Sequence, residues 1–112
     1  MLHGITSRLE HYMDLLSARQ RLVASNIANV DTPGYRTRDL NFRHEFLSLA
    51  QGRAPAVTEV EGLRVKNDGN DVSLDRESRL LAENALRFQV ASSLIRGQIR
   101  VVKAAIQEGR GA

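Results

Sequence analysis

From Leu2 to Val30 the apolar positions are Leu2, Ile5, Leu9, Tyr12, Leu16, Val23, Ile27 and Val30, in steps of three and four broken only near Arg19 and Gln20. That spacing predicts one helix with a coiled-coil-like stripe. Arg8, Glu10, Asp14, Arg19 and Arg21 make its other face polar. A helix from about Ile5 to Asn29 is roughly 40 Å long. A second periodic segment runs from Leu74 to Gln107, through Leu81, Ala85, Phe88, Ser92, Ile95, Ile99, Val102 and Ile106. Leu80, Leu94, Val101 and Ala105 widen its apolar face. Ser73 is placed to cap this helix, with Asp75 and Glu77 near its positive end and Arg100, Lys103 and Arg110 toward the negative one. Gly97 lowers its helix propensity by about 1 kcal/mol relative to Ala.

The chain between the helices is less regular. Phe42, Phe46 and Leu49 make a modest stripe that predicts a short helix over 42–49. Gly52 and Pro55 break the pattern, and Ala50 to Gly62 is the stretch expected to be most mobile. Val57, Val60, Leu63 and Val65 are compatible with a short strand pair, and Asn67-Asp68-Gly69-Asn70 is a strong turn signal. The fold class is therefore mainly α, with two long terminal helices packing as a coiled-coil-like pair with neighbouring subunits and a short irregular middle holding a β-turn and a candidate hairpin. The segments are 1–35, 36–72 and 73–112, together one assembly domain. Two long helices with so thin a middle cannot cover each other's apolar faces, which predicts neighbours.

Composition narrows the chemistry. Sixteen Lys and Arg stand against 13 Asp and Glu in 112 residues, a small basic excess over mixed charges rather than a polyanion-binding surface. Cysteine is absent, which removes disulfides and thiolate metal sites. Aromatic residues are 4% with no Trp, against both a large aromatic pocket and a base-stacking platform. No window nears the roughly 20 apolar residues of a membrane span, and the first residues lack the cationic and apolar regions of a general secretory signal.

His3, His11 and His44 do not form an i, i+4 ligand pair, so they read as surface or interface histidines. NDGNDVSLDRE fails the register of a calcium loop, since Gly69 follows Asp68 directly; a turn before a capped helix explains it better. Neither GxSxG nor a P-loop occurs, so no enzyme, cofactor or small-molecule substrate is expected. Arg36, Arg38 and Arg43, with Arg96, Arg100 and Lys103, raise the alternative of a basic helical module that binds nucleic acid or serves as an adaptor. Asp39, Glu45 and Glu108 dilute those patches.

Ala24 to Tyr35 reads ASNIANVDTPGY. Pro33 and Gly34 suit the central positions of a type II turn, Pro33 pushes Thr32 toward extended backbone, and Asn29 suits a helix exit. Asn26 is not explained by a helix stop, and a polar group in a helix interface costs stability while fixing register. SNIANVDTPGY at 25–35 and RTRDLNF at 36–42 closely resemble the N-terminal signature of bacterial flagellar rod and hook proteins. NDGNDVSLDRE at 67–77 and LAENALRFQ at 81–89 resemble the second half of the basal-body rod proteins at the proximal end of the rod. The resemblance covers most of the chain except about 50–62.

This resemblance implies a structural subunit, without enzymatic activity, of the rod that transmits torque across the periplasm. It implies export through the flagellar type III system without a cleaved signal peptide, and terminal helices that order on assembly. The implied partners are copies of itself, other proximal rod proteins, the rod-to-export-gate adaptor and the surrounding membrane ring, with no nucleic acid. On this reading Leu9, Tyr12, Leu16, Val23, Ile27, Leu81, Phe88, Ile95, Ile99 and Val102 form the inter-subunit contact. Asn26, Asn29, Thr32, Pro33, Gly34 and Tyr35 set register and turn, the two asparagines by hydrogen bonds between subunits.

Overall fold

The computed structural model describes residues 2–48 and 53–111. Its elements are α1 (Leu2–Ala28), β1 (Arg38–Leu40), α2 (Phe42–Ser48), β2 (Val57–Glu59) and α3 (Leu74–Gly111). This is the mainly helical architecture that the two periodic segments predict. α1 and α3 are antiparallel: Asn26 meets Glu77, Leu16 meets Asn84, and Ile5 shares a groove with Leu94. With 38 residues against 27, α3 is about 57 Å long and α1 about 40 Å. The far end of α3 runs past the start of α1, and every residue from Ile99 to Arg110 is exposed. The molecule is accordingly elongated, 72 × 25 × 18 Å.

Local chemistry sets the helix starts. The Arg76 amide donates to the Ser73 hydroxyl at 3.2 Å, which is the expected cap of α3. α2 begins after Asn41, whose side-chain oxygen accepts from the His44 amide at 3.1 Å. The short helix is described as far as Ser48; Leu49 and residues 50–52, where its end and the start of the mobile stretch were expected, lie outside the described residues.

The sheet differs from the expected hairpin within 57–65. β2 instead pairs antiparallel with β1, Arg38 opposite Glu59 and Leu40 opposite Val57. The reason lies in β1: its Asp39 and Leu40 side chains are buried, which fixes this backbone and leaves its edge needing partners. The Asn67–Asn70 turn then serves another purpose, described below.

Among the described residues the buried apolar side chains are Leu15, Leu16, Val23, Leu40, Val72 and Ala91. Buried polar ones are more numerous: Asn26, Thr37, Asp39, Glu45, Asn70, Asp71, Glu77 and Asn84. Such a fold is specified by hydrogen bonds as much as by apolar burial.

Candidate assembly surface

The surface offered to neighbours is held in place by a polar junction where α1 ends and α3 begins. Asn26 lies at its centre, 1% exposed. Its amide donates to the Arg38 carbonyl at 2.9 Å and to Glu77 Oε1 at 2.7 Å. Its oxygen accepts from the Tyr35 hydroxyl at 3.0 Å and the Arg38 amide at 3.2 Å. Two donors and two acceptor lone pairs are all an asparagine side chain has. Where a hydrogen bond to another subunit was expected, Asn26 makes all four within its own chain. Asn29, half-buried, also bonds within its own chain: its amide donates to the Ser25 carbonyl at 2.8 Å and its oxygen accepts from the exposed Thr32 hydroxyl at 3.0 Å.

The two turns quoted from the sequence dock on each other. Thr32 to Tyr35 closes through a Tyr35 amide to Thr32 carbonyl bond of 3.2 Å, with Gly34 at φ 76° after Pro33, which is the type II geometry expected. Gly69 has φ 85°, and a Cβ there would stand 3.4 Å from Gly34 Cα. The Gly34 amide donates to the Asp68 carbonyl at 2.9 Å, and the Asn70 side chain donates to the carbonyls of Asn29 and Thr32, both at 2.8 Å. Gly69 thus sits against the Gly34 backbone, whereas a Cβ at Gly34 would meet nothing within 4 Å and that position needs glycine for its positive φ.

Charged pairs tie the remaining elements. Asp39 on β1 takes Arg19 of α1 in a two-pronged contact at 3.1 and 3.0 Å, and Arg76 of α3 at 2.7 Å. Arg76 also reaches Glu77 at 2.6 Å. Burial by itself raises the Asp39 pKa, but the Arg19 guanidinium, the Leu40 amide and Arg76 together hold it below its ordinary 3.8. Asp71 behaves alike: burial is outweighed by the Thr37 amide, 2.6 Å from its carboxylate, and by Arg36 at 3.1 Å. Carboxyls with lowered folded pKa values contribute stability that is complete above their unfolded value and lost as pH falls through the folded one. The melting temperature should therefore hold steady from pH 7 to about 5 and fall below about pH 4. Asp39→Asn should melt lower at neutral pH and lose less on acidification, which thermal melts followed by circular dichroism at each pH check.

The ten expected contact residues separate into four groups. Leu16 and Val23, each 1% exposed, pack inside the chain, where they hold the helix pair together. Tyr12 is engaged by α2, edge-on to Phe42 and Phe46 with centroids 5.3 and 5.6 Å away. Leu9, Ile27 and Ile95 are half-buried, whereas Leu81, Phe88, Ile99 and Val102 are exposed. The row of α3 that faces α1 is Glu77, Asn84 and Ala91, spaced by seven, with Leu81 and Phe88 on one edge. Leu86, Val90 and Leu94 lie on the other edge, more than half exposed. With Ile5, Leu9 and Tyr12 they line an open apolar groove of about 480 Å³. Apolar surface thus flanks the helix pair on both sides.

The sequence reading missed Glu77, Asn84, Asn70 and Asp71 as buried groups. The available signal was the 77, 84, 91 spacing, which places a carboxylate and an amide in line with an alanine beside the apolar stripe. Asn84 donates to the Leu16 carbonyl at 2.9 Å and to Gln20 at 3.2 Å.

The stretch holding the end of α1 and the Gly34 turn, residues 13–36, matches the model of the flagella basal body rod protein family. The similarity to individual proteins extends much further. The flagellar basal body rod protein FlgB of Escherichia coli (strain K12) is 32% identical, with 87% of this chain aligned to 88% of that protein. The chain belongs to the FlgB family of flagellar basal body rod proteins. The FlgB of Yersinia enterocolitica is also 32% identical, covering 96% of this chain and 97% of its own length. That of Borrelia hermsii is 29% identical over 74% and 81%. In this FlgB-family chain the family-model match falls on the residues whose polar atoms close the junction: Arg19, Ser25, Asn26, Asn29, Thr32 and Tyr35.

Proposed function

We propose that this chain builds the proximal part of the flagellar rod and transmits torque across the periplasm by helix packing with its neighbours. It is a structural rod subunit and not an enzyme, and the nucleic-acid alternative is not favoured. The observation that carries the torque-bearing reading is the division of labour along the chain. A polar junction fixes α1 against α3, while Leu81, Phe88, Leu86, Val90 and Leu94 stay exposed on the two flanks and Ile99 to Ile106 on the overhang. A rigid pair with apolar flanks is what a close-packed helical tube requires of its units.

The partners on this reading are copies of the chain, other proximal rod proteins, the rod-to-export-gate adaptor and the surrounding membrane ring. Delivery is through the flagellar type III system, and burial of the flanks at assembly offsets the entropy of ordering the helix ends. Deleting the gene in the source bacterium should abolish swimming and leave basal bodies without a rod in electron micrographs. A tagged copy that restores swimming should co-purify with the basal body. A deletion strain that builds complete rods would refute the proposal.

A further inference from the structure

The overhanging end of α3 differs in charge from the rest of the molecule. Residues 96–110 hold Arg96, Arg100, Lys103 and Arg110 against Glu108, and so carry the whole net +3 of the chain. The remainder is balanced. Among the described residues the ion-paired cations are Arg19, Arg36, Arg76 and Arg87; the four on the overhang are exposed and in no ion pair.

Their placement is one-sided. Ile95, Ile99, Val102 and Ile106 repeat at four, three and four residues, the d-a-d-a seam of a coiled coil. The e positions beside that seam are then Arg96, Lys103 and Arg110, all cationic, and Arg100 at b lies on the same side. The opposite flank has Gln98 and Ala105 at g, with Glu108 farther round. Residues at e and g choose a helix's partner and its direction.

A second copy of this helix does not satisfy that edge. Paired antiparallel, e faces e and the cations of the two copies oppose each other; paired parallel, e faces g and meets an amide and a methyl group. Like charges in juxtaposition are unfavourable, and unlike ones select and orient partners. A membrane surface fits less well. No aromatic residue follows Phe88, and the cations line one flank only, where an interfacial helix carries basic residues on its polar face and large apolar or aromatic anchors below.

We propose that the distal third of α3 docks a different protein: an amphipathic helix with an apolar seam flanked by Asp or Glu. This deepens the rod reading and rests on it, naming the chemistry of one neighbour. The test uses the full chain and two labelled helical peptides with identical Leu seams, one with Glu and one with Lys at the flanking e and g positions. Vesicles of phosphatidylcholine, with and without phosphatidylserine, form a third arm.

The Glu peptide should bind about tenfold tighter than the Lys peptide at low salt, with the ratio collapsing at high salt. In the triple variant Arg96→Glu, Lys103→Glu, Arg110→Glu the preference should reverse. These surface changes should leave the circular dichroism of the folded chain unaltered. Equal affinity for the two peptides, no binding of either, or stronger binding to phosphatidylserine vesicles than to the Glu peptide each overturns the proposal. Swimming of the deletion strain complemented by the unaltered chain is scored alongside. If it swims while the peptides show no charge preference, the acidic partner is wrong and the rod reading stands; if it does not, the rod reading falls.

Discussion

Asn26→Leu should cost the folded chain about 2–4 kcal/mol, because it removes one side chain and leaves the buried Glu77 and the part-buried polar groups around it short of partners. The shape change is small, so the loss is polar. Glu77, fully buried, keeps Arg76 on one oxygen and loses the amide that met the other at 2.7 Å. The Arg38 amide and carbonyl both lose their side-chain partner, and the Tyr35 hydroxyl loses its acceptor at 3.0 Å and is left with the Ser25 hydroxyl at 3.3 Å. Each orphaned buried group costs about 1–3 kcal/mol, non-additively where they share a site. Urea unfolding followed by tyrosine fluorescence measures it, since Tyr35 reports from the junction itself. Unchanged stability with a misaligned rod is the contrary result, and it would return Asn26 to the interface between subunits.

That contrast shows what the sequence could and could not disclose. Three-and-four spacing located both long helices to within a few residues because amphipathic periodicity is a local property. Ser73 as a cap, and Pro33-Gly34 as a turn, were legible for the same reason: the hydrogen bonds involved close within four residues. The partners of Asn26 and Asn70 are not local. Asn26 reaches 51 positions to Glu77, and Asn70 reaches 41 positions back to Asn29. A polar residue on an apolar stripe is ambiguous between an internal partner and an external one until the topology is known. The pairing of β1 with β2 across α2 was hidden likewise, since strands of three residues carry almost no periodicity.

Within the expected contact residues, the structure separates those that hold the subunit together from those available to hold subunits to each other, and two substitutions test the separation. Leu16→Ala should destabilise the isolated chain by about 3 kcal/mol, because a side chain 1% exposed leaves a cavity between α1 and α3 beside Asn84. Ile99→Asp should change the stability of the isolated chain by less than about 1 kcal/mol, since Ile99 is 48% exposed on the overhang. Its effect belongs to assembly: a carboxylate at the centre of an apolar seam must be desolvated when a neighbour covers it, a cost of several kcal/mol per contact. The mutant should therefore be exported at normal levels and fail to support swimming, whereas Leu16→Ala should melt early and assemble once folded at low temperature. Denaturant midpoints give the first comparison and motility assays on soft agar the second. Normal swimming by Ile99→Asp would remove the overhang from the assembly surface, and full stability of Leu16→Ala would mean that the helix pair is held by its polar junction alone.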